Sequence, residues 1–126
     1  MSRNKLKVLV VGVCASGKTS LVEALRARGI DAHHAAQEHS NVPWMWKMSK
    51  PDFLIVLQAK YETIKKRRDI PWNEKRYWLE VERLRGAKEN ANLIIDTDNL
   101  TKEEVAEIAL NALNNYFVTL GKEKLR

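Results

Sequence analysis

The stretch Lys7-Val8-Leu9-Val10-Val11-Gly12-Val13-Cys14-Ala15-Ser16-Gly17-Lys18-Thr19 decides the fold. Its first five residues are an apolar, β-branched run of buried-strand type. The next eight match the spacing G-x-x-x-x-G-K-[ST]. Leu21, Val22 and Leu25 then fall on one helical face. Strand, glycine loop and helix thus follow one another without a gap. Gly12 and Gly17 let the backbone turn and approach a ligand closely. The amides of the loop, through Ala15, Ser16, Gly17 and on to Ser20, can converge on one anion. The helix beginning near Gly17 adds its positive dipole end.

That spacing is the phosphate-binding P-loop pattern. In it, Lys18 reaches the β- and γ-phosphates as a point charge, and the Thr19 hydroxyl is placed to ligate Mg²⁺. A glycine-rich turn without a ligand is the competing reading, and it gives no reason for Lys-Thr at this offset. Lys18 is expected to be an exposed loop side chain whose removal spares the fold.

Outward from the loop, 18–28 is expected to be helical, with Gly29 after it. Residues 30–36 suggest a short second strand, and 37–50 a loop followed by a short helix. The run 53–57 is a second clear buried strand. A helix is expected over 60–68, an interruption over 69–73, and a long charged helix over 74–90. Its apolar face comprises Tyr77, Trp78, Val81 and Leu84. The last strand is 92–96. Thr101-Lys102-Glu103-Glu104 reads as a capping box. The helix it opens carries Val105, Ile108, Ala109, Ala112, Leu113, Tyr116 and Phe117 on one face. Residues 117–126 are expected to be a frayed polar tail, most clearly after Gly121. This alternation implies an α/β fold with about four parallel strands around the loop strand, between two helical layers.

The 126 residues suit one domain. Hydrophobic content of 44% and charged content of 30% indicate a globular chain. No apolar run has the length of a membrane span and no signal peptide is read, so a cytoplasmic protein is expected. Cys14 is the single cysteine, which excludes an intramolecular disulfide; a small residue fitting a tight loop is its simplest role. The net charge of +6 suits a polyanion such as a nucleotide and is also compatible with nucleic acid.

Beyond the loop, Glu38 follows strand two at the edge where open α/β sheets bind ligands. It is the candidate to orient a Mg²⁺-bound water or take a proton from an acceptor hydroxyl; a surface glutamate is the alternative. His39 could assist it, with a surface histidine as the favoured alternative. The three histidines, at 33, 34 and 39, lack a zinc spacing. Arg67 and Arg68 end a basic helix. They read either as a solvated helix end or as a mobile clamp on a transferred phosphoryl group. Asp96 ends an apolar strand in the manner of a metal-orienting aspartate, but its late place argues for a turn or cap. Trp44, Trp46 and Met48 could fill a core or wall an acceptor pocket.

Three segments together resemble small P-loop kinase-type NTPases: GVCASGKT with its flanks, PDFLIVLQAKYETIKKRR, and NLIIDTDNLTKEEV. The second is similar to the strand, loop and E-x-x-x-x-R entry to the lid of nucleoside and nucleotide kinases, with Glu62 and Arg67 at the matching positions. The third is similar to the final strand and helix of small-molecule kinases, which implies that the loop at Thr97 lies near the nucleotide base. Glu38 with Val42-Pro43-Trp44 is similar to the acidic base of deoxynucleoside kinases. The chain is also similar to uncharacterised small ATP-binding proteins with A-Q-E-H-S, here Ala36 to Ser40. The resemblance implies a three-layer α/β/α P-loop NTPase fold with ATP and Mg²⁺ as cofactors. It implies Lys18, Glu38 and Arg67 as catalytic groups, and a small molecule or nucleotide as acceptor. The segment between strand two and Pro51 is short for a full kinase. A nucleotide-binding switch with little turnover is therefore the second expectation, and nucleic-acid binding the third.

Overall fold

The computed structural model describes residues 6–71 and 73–120. Four strands, β1 (Lys7–Gly12), β2 (Asp31–His34), β3 (Phe53–Gln58) and β4 (Leu93–Asp96), form one parallel sheet in the order β2-β1-β3-β4. The helices are α1 (Lys18–Arg26), α2 (Tyr61–Arg67), α3 (Glu74–Arg83), α4 (Arg85–Glu89) and α5 (Lys102–Thr119). Every strand-to-strand connection is therefore a crossover, as parallel pairing demands.

The two-residue period of β1 sends its side chains to two cores. Val8 and Val10 join Phe53, Ile55, Leu57 and Ile95 under α1 and α5, which contribute Leu21, Val22, Leu25, Val105, Ala109 and Leu113. Leu9 and Val11 join Leu54 and Val56 under the other helices, which contribute Ile64, Tyr77, Leu84 and Ala87. Helices thus cover both faces. The β1 strand lies inside the sheet, paired to β2 on one side and β3 on the other. Its carboxyl end, where the 12–19 loop begins, is flanked by both neighbours' carboxyl ends.

Several boundaries differ from the sequence expectations, for local reasons. Helix α1 stops at Arg26 because the next turn tightens, with Arg28 N–H on Leu25 O and Gly29 N–H on Arg26 O. Strand β2 is shorter than 30–36. Ala35 N–H makes one further bond to Val10 O before Ala36 turns the chain into a 3₁₀ turn at Gln37–His39. The short helix expected toward the end of 37–50 is present as a 3₁₀ helix, Met45–Ser49. The single helix over 74–90 is two helices. At Leu84 the backbone opens to ψ −5°. The Arg83 carbonyl accepts from the Gln37 side-chain amide at 3.3 Å, and Gly86 lies against Pro43 O, where a Cβ would approach to 3.1 Å.

Trp78 was expected on the buried face of that segment and is exposed; its indole N–H donates to Glu74. Glu80 is buried in its stead. Ile108, expected on the buried face of α5, is likewise exposed. Helix α5 opens on the expected capping box, Thr101 Oγ1 accepting from Glu104 N–H while Glu104 Oε1 accepts from Thr101 N–H. It continues to Thr119 with Phe117 buried, so no polar tail starts at 117. Residues 121–126, and Trp72 within the expected interruption, lie outside the described residues. No helix among the described residues is long and apolar enough to cross a membrane.

Candidate functional site

The 12–19 loop is held in an unusual backbone shape by close packing. A Cβ on Gly12 would stand 2.6 Å from both Leu57 O and Ser16 Oγ, so only glycine fits there. Gly17 takes φ 107°, which favours glycine again, and Ala15 takes φ 62°, uncommon for a residue with a Cβ. Gly17 caps α1 without any side-chain hydrogen bond. The first bond of the helix runs from Leu21 N–H to Gly17 O. The amides ahead of it have no intrahelical acceptor, and they form the anion-seeking end of a nine-residue helix.

This end opens into a cleft of about 750 Å³. Along its length the walls come from His34, Ala36, Glu38 and His39, from the 14–21 segment, from Arg67 and Arg68, and from Thr97, Leu100, Thr101, Lys102 and Val105. The sequence-derived residues Ala15, Ser16, Gly17, Lys18, Thr19, Ser20, Glu38, Arg67, Arg68 and Thr97 all line it. Gly12, the last residue of β1, does not line it. A pocket of this volume is in the range that takes a drug-sized ligand.

Lys18 is not the exposed side chain expected from sequence. Its Nζ donates to Gly12 O at 2.8 Å, Val13 O at 3.2 Å and Glu38 Oε2 at 2.8 Å. The two side chains of this pair are 12% and 5% exposed, so each needs the other. Glu38 keeps its second oxygen, Oε1, buried and without a hydrogen-bond partner among the described residues. His39 Nε2 is 3.6 Å from Glu38 Oε2, and Arg76 Nη2 is 3.3 Å from His39 Nδ1. Because the guanidinium can only donate, this contact makes Nδ1 the acceptor and puts the neutral ring's proton on Nε2, facing Glu38.

Arg67 is engaged differently from a free clamp. Its guanidinium donates to Ala15 O at 3.1 Å, to Thr97 Oγ1 at 3.1 Å and to Thr97 O. Thr97 Oγ1 also lies 3.2 Å from Ser16 O as donor. The pair fastens the loop to the end of β4. Arg68 reaches Cys14 Sγ at 3.6 Å. Asp96 is exposed at the far edge strand, two strands from β1, and its Oδ1 accepts from Asp98 N–H. It does not line the cleft. Trp46 is buried in the core, while Trp44 and Met48 are exposed, and none of the three reaches the cleft.

Two polar residues essential to this geometry were invisible in the sequence reading. Gln37 is fully buried. Its amide donates to Val42 O and Arg83 O and accepts from Trp46 N–H, which fixes the turn carrying Glu38. Glu80 is also fully buried and accepts from Cys14 N–H at 3.0 Å. The available signal for Glu80 was its spacing, three after Tyr77 and four before Leu84, on the face that packs inward.

A second, smaller cavity of about 200 Å³ lies between α3 and the ends of β3 and β4. There Tyr77 donates its hydroxyl to Ala59 O. Burial, helped by the negative charges of Asp98, Glu62, Asp96 and Glu74, raises its pKa above the ordinary tyrosine value. Burial pushes the Asp98 carboxyl upward, but hydrogen bonds from Lys60 N–H and Thr63 outweigh it, and the net shift is downward.

Oxygen donors suitable for a hard cation are present but few. The Thr19 hydroxyl and Glu38 line one cleft, and Glu38 Oε1 is buried without a hydrogen-bond partner among the described residues. Among the described residues no group of three or more His, Cys, Asp or Glu could hold a metal. That donor set fits Mg²⁺, which keeps several waters and takes further oxygens from phosphates, better than it fits zinc. Comparison with known proteins found no matching family and no matching curated relative.

Proposed function

We propose that this chain is a P-loop NTPase, a Mg-ATP-dependent phosphotransferase acting on a small molecule or a nucleotide. One observation carries the reading. An uncapped helix N-terminus with Lys18 and Thr19 opens into a cleft at the carboxyl edge of a parallel sheet, facing a buried carboxylate with one unbonded oxygen. The amides of 15–20 would bind phosphate oxygens, and Lys18 would exchange its carbonyl partners for them. Thr19, with Glu38 through water, would hold Mg²⁺, which supplies charge neutralisation to the transferring group. Glu38 Oε1 would turn to polarise either the acceptor hydroxyl or a Mg²⁺-bound water. Its second oxygen stays on Lys18, which keeps the carboxylate oriented. Leu21, Leu100 and Val105 give the cleft an apolar end suited to a base beside Thr97.

The second reading is a nucleotide-binding switch with little turnover. It is favoured by the engagement of Lys18 and Arg67 with the protein's own oxygens, which nucleotide would have to displace. Labelled Mg-ATP with a broad acceptor panel separates the two. The phosphotransferase reading expects transfer, with Glu38→Gln keeping ATP affinity and losing turnover by about a hundredfold, the low end for a lost general base. Asp96→Asn should match wild type. Tight binding without transfer or hydrolysis selects the switch; absence of ATP binding by the wild type refutes both.

A further inference from the structure

Glu80 is the fully buried carboxylate that this reading leaves without a role. It belongs to α3, whose surface is otherwise highly charged, and it reaches 66 residues back along the chain to the 12–19 loop. Its Oε1 accepts from Cys14 N–H at 3.0 Å, and its Oε2 has no hydrogen-bond partner among the described residues. Arg76 Nε stands 3.7 Å from that second oxygen. Burying a carboxylate for one backbone amide is costly, so chance packing is a poor account of it.

The amide it holds adjoins Ala15, the residue with a left-handed backbone. On the other side of that residue, Ala15 O is held by Arg67 at 3.1 Å. A conformation unfavourable for alanine is therefore gripped before and after, by α3 and by α2. Arg76 extends the grip, because it faces both Glu80 and His39, and His39 faces Glu38. From Lys18 through Glu38, His39, Arg76 and Glu80 the contacts return to Cys14, four residues before Lys18.

We infer that Glu80 is a positioning residue of the phosphate site: by holding the Cys14 amide it keeps the turn at Ala15 in its binding shape, and it makes α3 sensitive to phosphate in the cleft. It acts through the loop and does not line the cleft itself. The inference rests on the phosphate-site reading above. It goes further in assigning the coupling between loop and α3 to one side chain.

The test compares wild type, Glu80→Gln and Glu80→Ala by calorimetry with Mg-ATP and with adenosine, and by amide hydrogen exchange at Cys14. Glutamine keeps an acceptor oxygen and the volume. It should bind ATP within about threefold of wild type, with Cys14 exchange only modestly faster. Alanine should weaken ATP at least tenfold, leave adenosine affinity near wild type, and expose the Cys14 amide to fast exchange. An alanine variant that binds ATP like wild type overturns the inference, as does an unchanged exchange rate. If alanine does not fold, the glutamine variant and wild type decide: a Cys14 amide in wild type exchanging as fast as those of Gly17 and Lys18 overturns it. A wild type that binds adenosine and ATP equally defeats the phosphate-site reading itself, a result distinct from either failure of Glu80.

Discussion

The two faces of the sheet are built from different materials. Under α1 and α5 the core is apolar, largely aliphatic and continuous, from Val8 to Leu113, and α5 closes its own N-terminus with a reciprocal cap. Under α2, α3 and α4 the core is interrupted by buried polar groups: Gln37, Glu38 and Glu80 lie at or near the 12–19 loop. The contrast extends to helix ends. The N-terminus of α5 is satisfied by its own side chains, whereas that of α1 is left open toward the cleft. One face therefore holds the sheet together by area removed from water. The other holds a particular geometry, at the cost of oxygens such as Glu38 Oε1 and Glu80 Oε2 that have no hydrogen-bond partner among the described residues.

The sharpest way to break this contrast is to damage each face and compare. Leu113→Ala, at a fully buried position on the aliphatic side, should lower stability by about 3–4 kcal/mol, within the span for leucine truncation. Denaturant unfolding measures it, and the ratio of ATP to adenosine affinity should not move.

Lys18→Ala strikes the polar side. It strands the Glu38 carboxylate, which is 5% exposed, and should cost about 2–3 kcal/mol of stability, below the full range for a buried pair because the lysine retains some solvent. The same change should lower ATP affinity far more than adenosine affinity. Adding Glu38→Gln should restore much of the stability and none of the ATP affinity. Equal stability of wild type and Lys18→Ala would show that the pair is not a structural unit.

Smaller again is Thr101→Ala, which removes one half of the α5 capping box. About 1 kcal/mol of stability should be lost, read by thermal melting.

The smallest effect is the acid limb. Asp98 has a folded pKa below its unfolded value, so it stabilises the fold above that unfolded value, and the contribution fades as pH falls toward the folded one. A pH titration of unfolding should show Asp98→Asn with a shallower loss of stability below about pH 4 than wild type. An identical acid limb would show that its hydrogen bonds persist in the unfolded chain.

The same division governs what the sequence could tell. Strands β1 and β3 are apolar runs buried on both sides, and the α5 pattern and cap are local; each is decided by neighbours in sequence. The helix over 74–90 was legible as a helix but not as two, because its break depends on Gln37 and Pro43, which reach Arg83 and Gly86 from a distant segment. Trp78 and Glu80 exchanged their expected places for a related reason. A tryptophan in a helix suggests burial and a glutamate suggests solvent, yet here a backbone amide at Cys14 provides the glutamate with a partner inside. Lys18 and Glu38 were each placed in the cleft region by motif and by strand order. That they bond to each other required the parallel pairing of β1 with β2, which sets the turn at Gln37–His39 beside the loop.

The side-chain contacts made by the 12–19 loop have a kinetic consequence. They come from residues 20, 52, 54, 66 and 81 positions further along the chain, at Glu38, Arg67, Arg68, Glu80 and Thr97. Closing a loop grows costlier with its length, slowly but steadily, and contacts of such separation form late in folding. A chain emerging from synthesis can complete β1 and α1 early, but the set of contacts around Ala15 stays incomplete until β4 has docked. The assembled loop is therefore among the last features to form, and any ligand that needs it would select chains whose folding is already finished.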